Sequence, residues 1–68
     1  MQNINPKHYK NLSIEPIDYI EENHLGFSEG NIIKYVSRYK DKNGLEDLHK
    51  AKWYLDRLIE KEARLLQK

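Results

Sequence analysis

The stretch LEDLHKAKWYLDRLIEKEARLL, residues 45–66, decides the fold. Leu48, Ala51, Leu55, Leu58, Ile59 and Leu66 recur at the spacing of one helical face. Glu46 and Asp47 fall in the first turn, where the helix dipole favours anions. The segment reads as one long helix. At ~1.5 Å per residue it spans roughly 30 Å. That outruns any other helix in the chain, so its last turns are expected to meet another subunit. Trp53 falls opposite the stripe, among Glu46, Arg57 and Glu60. A Trp there either covers the N-terminal segment or enters an interface.

Working outward, Asp41-Lys42-Asn43-Gly44 is a turn, with Asn-Gly as the breaker. Before it, residues 28–40 read as a second helix. Ser28 is placed to cap it and Phe27 to staple onto Ile32. Ile32, Val36 and Tyr39 form its apolar stripe, while Asn31, Lys34 and Arg38 share another face. A first helix is expected over about residues 15–23. Pro16 suits its first position, and the helix should stop near Asn23, before Gly26. Ile17 and Ile20 mark one face, which His24 continues, and Glu15, Asp18 and Glu22 mark the opposite one. Residues 1–13 read as an arm. The expectation is a single all-α domain of three helices.

Size and composition set the limits. The chain has 68 residues, 12 Lys+Arg, 11 Asp+Glu, a net charge of +1 and no cysteine. A domain this small buries only about 60% of the surface its unfolded chain exposes. Without disulfides, the remaining staples are good helices and self-association, so a homo-oligomer is expected. No run approaches the ~18 apolar residues of a membrane span, and residues 1–6 carry no apolar signal core. A cytoplasmic location follows as the default. The small net charge argues against a broad phosphate-backbone footprint, so nucleic acid is not an expected partner. Gly26, Gly30 and Gly44 do not make a P-loop. The +1 is uneven: residues 1–30 sum to −3 and residues 31–68 to +4.

Three constellations bear on chemistry. Asn31, Lys34, Tyr35 and Arg38 follow Gly30 at a helix start. Lys is a point charge for phosphate, and Arg is a planar fork. A helix N-terminus adds N–H donors, and Tyr35 could stack on a base. The plain alternative is a solvated face. Asp47, Lys50 and Tyr54 share a face on the long helix. Lys50 could add a phosphate contact there, with Asp47 orienting Lys50 or Arg38. The alternative is an ordinary ion pair three residues apart. Glu15, Asp18 and Glu22 form one acidic face, with Glu46 and Asp47 elsewhere; two such faces could hold Mg²⁺ against a phosphate, or the carboxylates simply be solvated. No metal site is read from His8, His24 and His49, which share no ligand spacing. His8, beside Tyr9, is the histidine best placed to reach a ligand.

In order, the chain carries His8-Tyr9, Ile14-Glu15-Pro16-Ile17-Asp18, Phe27-x-x-Gly30-Asn31-x-x-Lys34-Tyr35-x-x-Arg38 and Glu46-Asp47-Leu48-x-Lys50-Ala51-x-x-Tyr54-Leu55. This pattern resembles the bacteriophage SaV-like family of unknown function. Its members are often labelled nucleotide kinase, because it takes in the deoxynucleoside monophosphate kinase of a lytic coliphage. The resemblance implies a phage protein in the cytoplasm of an infected bacterial host, a helical fold and a nucleotide ligand. It carries over His8, Tyr9, Asn31, Lys34, Tyr35, Arg38, Asp47, Lys50 and Tyr54 as phosphate- or nucleotide-binding residues. The coliphage kinase is much longer, so a chain this short is expected to lack catalytic parts outside the shared pattern. Three functions compete. One is phosphoryl transfer to deoxynucleoside monophosphates, with Mg²⁺. The second is non-catalytic sequestration of a nucleotide signal of host defence. The third is a module that binds a host protein through Trp53.

Overall fold

The computed structural model describes residues 12–67. Helix α1 is Pro16–Glu22, α2 is Phe27–Arg38 and α3 is Leu45–Leu66. A 3₁₀ turn, Tyr39–Asp41, prolongs the end of α2. The described residues contain no strand, so the fold is all-α. None of their helices is long and apolar enough to cross a membrane.

Helix α1 opens on Pro16, whose missing N–H costs nothing at a first helical position. It closes where His24 takes a left-handed backbone, φ +54°, a conformation that ends helices. The Asn23 amide donates to the Tyr19 carbonyl at 2.9 Å. His24 was expected to continue the Ile17/Ile20 face. It is exposed beyond the helix end instead, because the left-handed turn diverts the chain.

Helix α2 starts one residue early. Gly26, in extended conformation, is its N-cap, so Ser28 lies inside the helix and caps nothing. The side chain of Glu29 folds back over Gly26, as an N3 glutamate does in a capping box. Phe27 stays 76% exposed rather than stapling down. Gly30 is the buried residue of α2, and α1 comes close to it there. A Cβ at Gly30 would sit 3.1 Å from the Ile20 Cγ2 methyl.

Gly44 makes the turn into α3 with φ +55°, a conformation that side chains disfavour. Its N–H donates to the Tyr39 carbonyl at 2.8 Å. The short link makes α2 and α3 an antiparallel hairpin. Arg38 meets Asp47, whereas the earlier Tyr35 meets the later Tyr54. The small side chain of Ala51 is the buried apolar group between them, and Asp47 beside it is fully buried. The expected α2 stripe is only partly covered: Ile32 and Tyr39 are half-buried and Val36 is exposed. Helix α3 has 22 residues against 12 in α2, so it overhangs its partner. Every residue from Ile59 to Gln67 is exposed, and the long dimension reaches 51 Å.

Candidate functional site

The site is built on the facing sides of α2 and α3. Tyr35 points toward α3, and its ring stacks on Tyr54 with centroids 6.2 Å apart and planes 17° from parallel. Lys34 Nζ lies 4.6 Å, the Arg38 guanidinium carbon 4.9 Å and Lys50 Nζ 5.5 Å from the Tyr35 ring centroid. A tyrosine π-face attracts cations, which lets three like charges converge at one ring. Lys34, Tyr35, Arg38, Lys50 and Tyr54 are thus brought together, as neighbours on two helices.

Arg38 and Asp47 form the buried base of the cluster. Arg38 Nε donates to Asp47 Oδ2 at 3.3 Å and Nη2 donates to Oδ1 at 3.4 Å. The Arg38 side chain is 17% exposed. Asn43 completes the shell: its backbone N–H donates to Oδ2 at 3.2 Å and its amide donates to Oδ1 at 3.5 Å. Burial by itself raises the Asp47 carboxyl pKa. The Arg38 hydrogen bond, the Asn43 backbone N–H, the Arg38 charge and the Asn43 amide together outweigh it and hold the pKa below its ordinary value. Asp47 therefore orients Arg38 and ties the turn to both helices.

The other cations differ. Lys50 pairs with Glu46 at 3.6 Å, one helical turn back on an open surface, a contact of small energy. Lys34 pairs with no carboxylate among the described residues. The amide of Asn31 donates to the Phe27 carbonyl at 2.9 Å, within its own helix.

An apolar groove of about 450 Å³ adjoins the cluster. Pro16, Ile17, Ile20, Leu25 and Phe27 line it, with Lys34 and Asn31 on one border. Phe27 links groove and cluster, because its ring meets Tyr54 edge-on at 5.9 Å. Lys34 belongs to both.

Several expected residues stand apart. His8 and Tyr9 lie outside the described residues. Trp53 is 57% exposed, with the Arg57 guanidinium 5.4 Å from its ring, and touches the site only at its edge, where its ring meets that of Tyr54 at 5.0 Å. No three His, Asp or Glu side chains among the described residues converge on a metal position. Asn43 and Phe27 enter the site although spacing did not select them, and Glu46, read as one of a set of carboxylates, enters as the partner of Lys50. An acidic residue at the third position of α3, reaching back toward the turn, was the available signal for Asn43.

A family model described as a protein of unknown function, DUF3310, matches residues 4–56, most of the chain. No curated protein and no solved structure matches it.

Proposed function

The chain belongs to the DUF3310 family, and we propose that it binds a nucleotide or a nucleotide-like phosphate ligand. The observation that carries this reading is the convergence of Lys34, Arg38 and Lys50 on one tyrosine, next to an apolar groove that Lys34 also borders. Three cations against Glu46 and Asp47 leave one net positive charge, and Lys34 is the one without a carboxylate partner among the described residues. A phosphate seated between Lys34 and Lys50 relieves their mutual repulsion and gains two charge-assisted hydrogen bonds. Arg38, held by Asp47, adds positive potential from beneath. The groove and the exposed edge of Phe27 suit a base. Tyr35 and Tyr54 already stack on each other, so they act as the platform that carries the cations.

Phosphoryl transfer to a deoxynucleoside monophosphate is the enzymatic form of this reading, and Mg²⁺ would arrive with the phosphates. Sequestration without turnover is the second form. One observation favours it: the buried carboxylate, Asp47, is fully engaged by Arg38 and Asn43, which leaves it unsuited to act as a general base. A phage source and a location in the host cytoplasm belong to the same proposal.

The test is equilibrium binding and turnover with nucleoside mono- and triphosphates and cyclic nucleotides. Lys34→Ala is expected to weaken binding roughly 10- to 100-fold, the loss of one charge-assisted bond. Intact recovery of bound ligand selects sequestration, and turnover selects the enzyme. Absence of binding across the panel refutes both and leaves the exposed Trp53 and Phe27 as a protein-docking surface.

A further inference from the structure

The C-terminal half of α3 is an amphipathic helix whose apolar face meets no partner among the described residues. Leu55 is 46%, Ile59 57%, Leu65 59% and Leu66 83% exposed. At 100° per residue these four and Leu58 fall within an arc of roughly 120°. The same arc carries Ala51, one turn before Leu55, where it is buried against α2. The covered face therefore continues past the end of α2 without its cover.

We propose that this overhang, from Leu55 to Leu66, is the interface with a second copy of the same chain. The charges choose that occupant. Asp56, Glu60 and Glu62 balance Arg57, Lys61 and Arg64, so the segment is neutral with both signs interspersed. Identical neutral segments approach without net repulsion. An anionic bilayer or a nucleic acid, by contrast, selects an excess of Lys and Arg, which the segment lacks. Glu62 also falls inside the apolar arc, with Lys61 about 40° outside its edge. A carboxylate there disfavours lipid, while a second copy brings the lysine that pairs with it.

Area sets the strength. Each stripe exposes about 450 Å², so two copies hide at most about 900 Å² of apolar side chain. That is below the ~1,000 Å² of a tight interface, so the association is reversible and depends on concentration. The interface lies away from the Lys34–Arg38–Lys50 cluster, and ligand binding and assembly are separately measurable.

Sedimentation equilibrium of the full chain over a concentration series tests the proposal, with Ile59→Glu, Leu66→Glu and Arg64→Gln alongside. All three positions are exposed in the single chain, so circular dichroism at low concentration should show unchanged helix content for each. The wild type is expected to rise from one chain toward two or more. Ile59→Glu and Leu66→Glu should each weaken association by roughly tenfold or more. Arg64→Gln, on the opposite face, should stay within about twofold. A wild type that remains a single chain up to about 1 mM overturns the proposal. So does assembly that both glutamate variants leave intact. Binding of the single chain to phosphatidylserine vesicles, without self-association, assigns the face to a membrane and also overturns it.

Discussion

Gly30 offers a test in which the sign of the effect is decided by one methyl group. It sits in the interior of α2, where replacing Gly by Ala is worth about 0.8–1 kcal/mol of helix propensity. Against this, the new Cβ would lie 3.1 Å from Ile20 Cγ2 and 3.6 Å from Cδ1. The first distance is inside comfortable van der Waals contact, so α1 must shift by a few tenths of an ångström. Overpacking of this kind costs about 1–3 kcal/mol when the neighbour cannot yield. The two terms nearly cancel, and Gly30→Ala is expected to change stability by less than about 1 kcal/mol. Removing the obstruction separates them. In an Ile20→Ala background the three nearest atoms, all of Ile20, are gone, and Gly30→Ala should stabilise by up to ~1 kcal/mol. For a domain of this size that is a rise of about 4–8 °C in Tm. Thermal and urea unfolding of the four proteins in this cycle, followed by far-ultraviolet circular dichroism, yields the coupling directly. Gly30→Leu should unfold several degrees lower than wild type in either background. An equal effect of Gly30→Ala with and without the Ile20 methyls would refute the packing of α1 on Gly30.

Other consequences follow from the turn and the buried pair. The Asp47 pKa is lower in the folded chain than in the unfolded one, so its ionisation contributes stability that is complete above the unfolded pKa of about 3.9 and disappears as pH falls through the lower folded value. Asp47→Asn should flatten the stability profile below about pH 4 and reduce stability at neutral pH. Arg38→Ala should move acid unfolding to higher pH, as measured by helix signal during acid titration. Gly44→Ala forces a side chain into φ +55° and should cost about 1–3 kcal/mol in urea unfolding. Lys52→Ala removes an exposed 2.9 Å pair with Asp56 and should change stability by no more than about 0.5 kcal/mol.

The helices were largely legible because their signals are local. The apolar period of residues 45–66, the Asn43-Gly44 breaker and Pro16 each act within a turn or two of chain. The start of α2 differs by one residue from the position its capping side chains indicate: Ser28 is the better capping residue, yet Gly26 adopts the cap conformation with Glu29 folded over it. For the site, shared faces on α2 and α3 selected Lys34, Arg38, Asp47, Lys50 and Tyr54. Spacing left open whether those faces meet each other or water.

The sequence by itself determined three helices, the turn between the last two and an overhang of α3. It also determined that two cationic faces stand on neighbouring helices. Only the tertiary structure decided how those faces are used. Periodicity sets the angle of a side chain about its own helix, but not the rotation of one helix against another. That rotation put Asp47 under Arg38, stacked Tyr35 on Tyr54 and left Lys34 beside the groove. Arg38, which reads in the sequence as an open phosphate fork, became the buried partner of Asp47. Asn43, which reads as a breaker, became a ligand of the same carboxylate. The Arg38 role comes from the closing of the α2–α3 hairpin, which brings Asp47 within hydrogen-bond distance, while the Asn43 role is local to the first turn of α3.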